Sequence, residues 1–200
     1  MLKKKFSIVL LAFVFAGSFA SGAVTKYDTD AAHSNIGFSM PIMGGLSHVR
    51  GKFTDFTVAI VYDDGDVTKS SVNATIKATS VDTGIERRDA HLRNADFFDV
   101  EKFPEITFAS SRIEKKGKQL VAHGTFTMRG VAKEIALPFT INGVSKDPKT
   151  GKTQLGLTAR TTVNRRDYGV NFSNPNNPNF LGDQVEIELN IITRAASPQP

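Results

Sequence analysis

Four histidines, His33, His48, His91 and His123, are the groups best suited to bind a metal or move protons near neutral pH. They lie far apart, and none has the spacing of a His-Glu-x-x-His metal motif. No metal is expected. The chain has no cysteine, which removes disulfides, thiol nucleophiles and thiolate sites together. It has no phosphate-cradling glycine loop and no Gly-x-Ser-x-Gly elbow. No cofactor is expected. Asp63, Asp64 and Asp66 resemble part of a calcium loop, but no glutamate closes it at the required place. A solvated hairpin turn accounts for them.

The densest charged segment runs from Glu86 to Asp99. Arg87, Arg88, His91 and Arg93 share it with Asp89, Asp96 and Asp99. Two readings compete. Arg87, Arg88 and His91 form a cationic rim that meets a polar or anionic head group. Alternatively the acids, as numerous as the bases, bind them into a network that fixes the segment to the rest of the fold. Balanced charge favours the network. Arg165 and Arg166 beside Asp167 carry the same ambiguity, and a buried Arg–Asp pair bracing a strand end is one reading of them.

The formal charge of +5 and isoelectric point near 9.5 suggest nucleic acid at first sight. The N-terminus removes that suggestion. Lys3, Lys4 and Lys5 precede an apolar run from Phe6 to Ala16, and the small residues Ala20-Ser21-Gly22-Ala23 follow. This is the pattern of a secretory signal peptide over residues 1–23, cut before Val24. The apolar run is too short to span a bilayer, so no transmembrane segment is expected after its removal. Losing three lysines and no acid lowers the charge to +2. No basic stripe interleaved with aromatics remains, so no nucleic acid is expected. The mature chain, residues 24–194 with a frayed tail over 195–200, is expected in the periplasm or outside the cell.

Positioning elements follow from the pattern. Ile36, Phe38 and Met40 alternate with polar or small residues. So do Phe56 to Tyr62, Val72 to Ala78, Leu120 to Met128, Ile135 to Ile141, Leu155 to Val163 and Val185 to Ile191. Period-two alternation indicates strands with one wet and one dry face. Turn residues at Asp63–Asp66, Lys115–Lys118, Arg129-Gly130 and Asp147–Gly151 punctuate about eight antiparallel strands. Glu86 to Asp99 lacks β-branched residues and suits one or two short helices, with Asp89 and Arg93 spaced for an i,i+4 pair. The fold class is all-β: an antiparallel eight-stranded barrel with one or two short helices at its end. Inward residues mix large (Phe38, Met40, Phe126, Met128, Phe139) with small (Ala74, Ala122, Gly124, Ala159). Such a mixture either fills a tapered core or leaves room for one small ligand.

Several separated motifs complete the reading. They are His33-Ser34-Asn35-Ile36-Gly37-Phe38, Gly51-Lys52-Phe53-Thr54-Asp55-Phe56, and the run from Arg88 to Asp99 followed by Phe103-Pro104-Glu105-Ile106-Thr107-Phe108. Gly124-Thr125-Phe126-Thr127-Met128-Arg129-Gly130-Val131 and Asn164-Arg165-Arg166-Asp167-Tyr168-Gly169 complete the set. From about residue 26 to 192 the chain resembles the YceI-like family, secreted bacterial barrels of lipocalin type. The resemblance implies a long internal pocket for isoprenoid lipids, such as a polyprenyl phosphate or quinone, or for other long amphiphiles. It implies a periplasmic or secreted protein, often a homodimer, with no catalytic activity established across the family.

The expectation is therefore a lipid-binding transport or scavenging protein, not an enzyme. Ile36, Phe38, Met40, Phe126, Met128, Leu137 and Phe139 would form the apolar pocket wall. Two rival classes remain: a lipid-modifying enzyme using His91 with Asp96 or Asp89, and a solidly packed module that binds proteins through its loops.

Overall fold

In the computed structural model, residues 23–196 are described. The leader expected over residues 1–23 lies outside them except for Ala23. Eleven strands occur among the described residues: β1 (Val24–Thr29), β2 (Asn35–Ile42), β3 (Ser47–Phe53), β4 (Phe56–Asp63), β5 (Ser71–Lys77), β6 (Val81–Asp82), β7 (Glu105–Lys116), β8 (Gln119–Met128), β9 (Val131–Lys146), β10 (Thr153–Asn164) and β11 (Gln184–Ala195). One α-helix, α1 (Glu86–Arg93), follows β6.

Strands β1, β4, β5, β7, β8, β9, β10 and β11 are hydrogen-bonded in that order, and β11 pairs back onto β1. All of these pairings are antiparallel, and they close an eight-stranded barrel. Strands β2, β3 and β6 prolong β1, β4 and β5 beyond a break in each. β2 rejoins the same β11, β3 pairs β2, and β6 pairs β3. The expected eight positions are therefore present, three of them interrupted, and the alternating runs located seven of them. β7 escaped because Ser and charged residues blur its alternation.

The first break is held by a polar knot. The buried Asp30 carboxylate meets His33 Nδ1 at 2.8 Å and Arg194 Nη2 at 2.7 Å. The Ser34 hydroxyl donates to the Asp30 carbonyl, and the Asp30 N–H donates to Ile192. Backbone groups released by the break thus find partners, as buried ones must. Farther along, Arg129 and Gly130 take φ of 51° and 72°, the left-handed pair that a two-residue hairpin turn requires. Gly124 is needed for another reason. A Cβ there would lie 2.3 Å from the Ala109 carbonyl oxygen, beside the bulge in the β7–β8 ladder.

One short helix forms within the segment expected to be helical, over Glu86–Arg93, and bends and turns follow it to Phe98. The Asp89–Arg93 pair does not form. Asp89 instead turns inward and accepts the Thr83 N–H at 2.9 Å and the Thr83 hydroxyl. Arg93 pairs with Glu86 at 3.2 Å and donates to the carbonyls of Thr79 and Val81. Orphan groups ahead of the helix outcompete a surface pair worth only about 0.3–0.5 kcal/mol. At the other end of the chain, β11 runs through Ala195, and the Ala196 N–H donates to Lys26 at 2.8 Å. The sheet thus passes the boundary expected at residue 194.

Candidate functional site

Alternation turns one side chain in two toward the barrel axis, and the space they enclose is not filled. One cavity of about 110 Å³ lies in the half toward the β4–β5 turn, lined by Tyr62, Val67, Val72, Ala74, Ala122, Leu155 and others. A second, of about 100 Å³, lies beneath α1 and the segment after β10. Both are lined by Ile36, Ile76, Phe126 and Ile187, so the two spaces meet around these four side chains. All of the surface facing either space is apolar. Small residues explain the room: Ala74, Ala122 and Ala159 stand where larger side chains would fill the first cavity. At roughly 24 cal/mol per Å³, leaving 110 Å³ empty costs on the order of 2–3 kcal/mol. A protein whose stability is ~5–15 kcal/mol keeps such a defect only where something compensates it.

All seven wall residues read from parity line this interior. Ile36 and Phe126 border both cavities, Phe38, Met40 and Met128 the one beneath α1, and Leu137 and Phe139 the other. Leu92, Phe97, Phe98 and Val170 also line the space beneath α1 but were missed. They come from the helix, its following turns and a loop, where no period-two signal exists. Ile76 and Ile187, by contrast, sat in alternating runs and were legible as inward residues.

The three head-group candidates do not line either cavity. Arg87, Arg88 and His91 border a shallow surface hollow on the outer side of α1, with Ile85, Ala90 and Asn94. Arg88 is held by the Thr83 hydroxyl at 2.7 Å and the Thr83 carbonyl at 2.9 Å. His91 is 2.9 Å from Asp96 and packs edge-on against Phe97 and Phe172, each with ring centroids 4.9 Å away. Phe97 carries this cluster into the cavity lining, so the histidine braces the roof of the barrel. The structural network is what the geometry displays for Arg88 and His91.

The buried cation is Arg165, 3 % exposed, which contributes to the lining beneath α1. Its Nε donates to Gly182 and its Nη1 to the carbonyls of Val170 and Phe172, at 2.7–3.0 Å. Nη2 lies 2.9 Å from Asp183 Oδ1 but is not aligned for a directed hydrogen bond. Burial lowers the Arg165 pKa, and the Asp183 charge opposes that shift. The acid partner is thus Asp183, supplied by the far end of the loop, while neighbouring Asp167 faces Lys133 at 3.5 Å. Tyr168 packs edge-on against Phe126, and burial raises its pKa. At the opposite end, Asp63 accepts the N–H groups of Gly65 and Asp66, and Asp66 accepts from Thr68. Those carboxylates are engaged in turn bonding.

A closed eight-stranded barrel, apolar within and roofed by a short helix, defines the lipocalin-like class of β-barrels. The profile of the YceI-like domain matches residues 27–193, and this chain belongs to that family. The UPF0312 protein of Shewanella oneidensis is 37 % identical over 171 residues, spanning 85 % of this chain and 88 % of that one. The crystal structure of Campylobacter jejuni YceI protein is 30 % identical, with a TM-score of 0.67, over 76 % of this chain and 88 % of its own. Burkholderia cenocepacia BcnA shares the fold at 21 % identity and a TM-score of 0.73, over 82 % and 98 %. So does a polyisoprenoid binding domain from Saccharophagus degradans, at 14 % identity and 0.66, over 87 % and 100 %.

Proposed function

We propose that this protein holds the tail of a long-chain amphiphile, of isoprenoid type, along the barrel axis, and carries or sequesters it outside the bacterial cytoplasm. The observation that carries this reading is the wholly apolar, unfilled interior shared by the two cavities. Each CH₂ moved from water into such a space gains about 0.8 kcal/mol. Several isoprene units gain tens of kcal/mol gross, most of it offset by chain ordering and lost translation. Tail fit therefore sets affinity, and polar groups at one end select the head. We assign the head to the helix end, where Arg165 contributes to the cavity lining. Met40, Met128 and the phenylalanines let the wall adapt to related tails.

The family relationship and the polyisoprenoid-binding neighbour support a lipid ligand, and the N-terminal lysine–apolar–small pattern supports export. The reading assigns no chemistry to the bound lipid. Native mass spectrometry of protein purified from the cells that make it tests the proposal. A bound hydrocarbon species, released unchanged by solvent, is the expected result. Protein that carries no lipid and takes up neither a polyprenyl phosphate nor a quinone overturns it, and a lipid returned chemically altered overturns the carrier role.

A further inference from the structure

The hairpin joining β2 to β3 ends in Met43-Gly44-Gly45-Leu46, and its first three residues take φ of 53°, 67° and 95°. Positive φ suits the glycines but is unfavourable for Met43. The turn is held by the Met43 N–H donating to the Phe180 carbonyl at 2.7 Å and by an Ile42–Leu181 bridge. Held this way, it presents Leu46 at 87 % exposure and Met43 at 43 %, above half-buried Ile42, Phe180 and Leu181. Leu46 is the most exposed large apolar residue among those described. A single exposed leucine is ordinary, whereas an apolar cluster at the end of a backbone-strained tip is not.

The shaft behind this tip is basic. His48, Arg50 and Lys52 share the outward, exposed face of β3. No Asp or Glu occurs between Asp30 and Asp55. Across the β2 pairing their neighbours are Pro41, Ser39 and Gly37, which bring no charge. On the other side β3 pairs β6 only at Lys52 and Phe53, and Asp82 beside Lys52 is the acid in register. Glu186 and Glu188 stand in the same rows one strand beyond β2, opposite Ser39 and Gly37, and both are held by Arg160. Charged residues along the unpaired part of β3 also disfavour strand addition by a second copy.

We propose that this hairpin docks the protein on an anionic bilayer, with Met43 and Leu46 entering the interface and Arg50 and Lys52 meeting lipid phosphates. Apolar side chains at a tip backed by cations are what such an interface favours. Phe38 and Met40, on the same hairpin, line the cavity beneath α1, so docking would bring that end of the barrel to the membrane. Lipid would then move between bilayer and barrel without crossing water. The docking geometry stands independently of the cargo, and only its purpose rests on the carrier reading.

The chain has no tryptophan, so Leu46→Trp gives a clean fluorescent reporter at the tip. Mixed with vesicles of phosphatidylethanolamine and phosphatidylglycerol, this variant should show a blue shift that weakens with salt and is absent with phosphatidylcholine alone. Leu46→Asp and the double variant Arg50→Glu, Lys52→Glu should each lose at least about tenfold in vesicle co-sedimentation, the scale set by roughly 1 kcal/mol per basic residue and more for the leucine. The melting temperature should stay unchanged for Leu46→Asp, whose side chain is exposed, and fall only slightly for the double variant, in which Lys52→Glu faces Asp82. Equal sedimentation of the wild type and Leu46→Asp overturns the proposal. So does a dimer, seen by analytical ultracentrifugation, that Leu46→Asp breaks while vesicles go unbound. Lipid extracted from the same preparations reports on the cargo separately: a protein that carries no lipid and takes up neither a polyprenyl phosphate nor a quinone, yet still docks, would sink the carrier reading and leave docking standing.

Discussion

Enlarging Ala122 to leucine separates a ligand tunnel from an ordinary core, because it should raise stability while lowering binding. Ala122 is 2 % exposed, borders the 110 Å³ cavity, and sits opposite Ile113 and Leu137 in the ladders on either side. Ala122→Leu adds three carbons, a gross gain of about 2.4 kcal/mol at ~0.8 kcal/mol each. Ordering the leucine costs about 0.5–1 kcal/mol. Imperfect fit takes off a further fraction, leaving about 1 kcal/mol net in the lipid-free protein. In a domain of this size that is a rise of about 2–4 °C in melting temperature. With lipid present the order should reverse. The wild type gains about 2.7 kcal/mol when free ligand is a hundredfold above Kd, and a variant whose space is occupied gains less. The assay is a pair of thermal melts, delipidated and lipid-loaded, with Ala74→Leu, two strands away on β5, as a second variant lining the same cavity. Destabilisation of both delipidated variants would mean that the space is already packed. Equal lipid-dependent rises in variants and wild type would mean that the tail lies elsewhere. Either result refutes the reasoning.

Phe126 borders both cavities, so Phe126→Asp should abolish lipid uptake by placing an unpaired charge in an apolar wall. A variant with native circular dichroism and undiminished lipid content would show the tail does not pass Phe126. Arg165→Met should strand the carbonyls of Gly182, Val170 and Phe172 and cost about 3 kcal/mol in urea unfolding, whereas a loss within about 0.5 kcal/mol would mean that water replaces the guanidinium. Burial raises the Tyr27 and Tyr168 pKa above the ordinary value of 10.0. The neutral ring is the favoured folded form, so this contribution is complete below about pH 10 and is lost as pH rises through the folded-state values. Thermal melts from pH 8 upward should show that loss, flattened in a Tyr27→Phe, Tyr168→Phe double variant.

Much of the barrel wall was legible because strand periodicity is local. Alternation in residues such as Phe126-Thr127-Met128 states which side chains face inward before any partner strand is known. That is why all seven proposed wall residues line the interior. The roof was not legible. Leu92, Phe97 and Val170 belong to a helix and turns whose direction depends on contacts distant in sequence, and α1 alone offers one buried leucine as a guide. Charge patterning failed in the same region. Asp89 and Arg93 have the spacing of a pair, yet backbone groups at Thr83, Thr79 and Val81 claim them first.

The sequence by itself therefore determined the all-β class, the approximate number of strand positions, the inward faces and the absence of thiol chemistry. The tertiary structure decided what those faces enclose. A row of small and large inward residues is compatible with a filled core or with a void, since the difference lies in how far eight strands stand apart once closed. Ring closure between β1 and β11 is a contact between the two ends of the chain, and no local pattern encodes it. The same holds for Arg165, whose charge is read from one residue but whose burial and acid partner depend on the return of the chain at Asp183. Local chemistry chose the wall, and long-range packing decided that the wall surrounds an unfilled space.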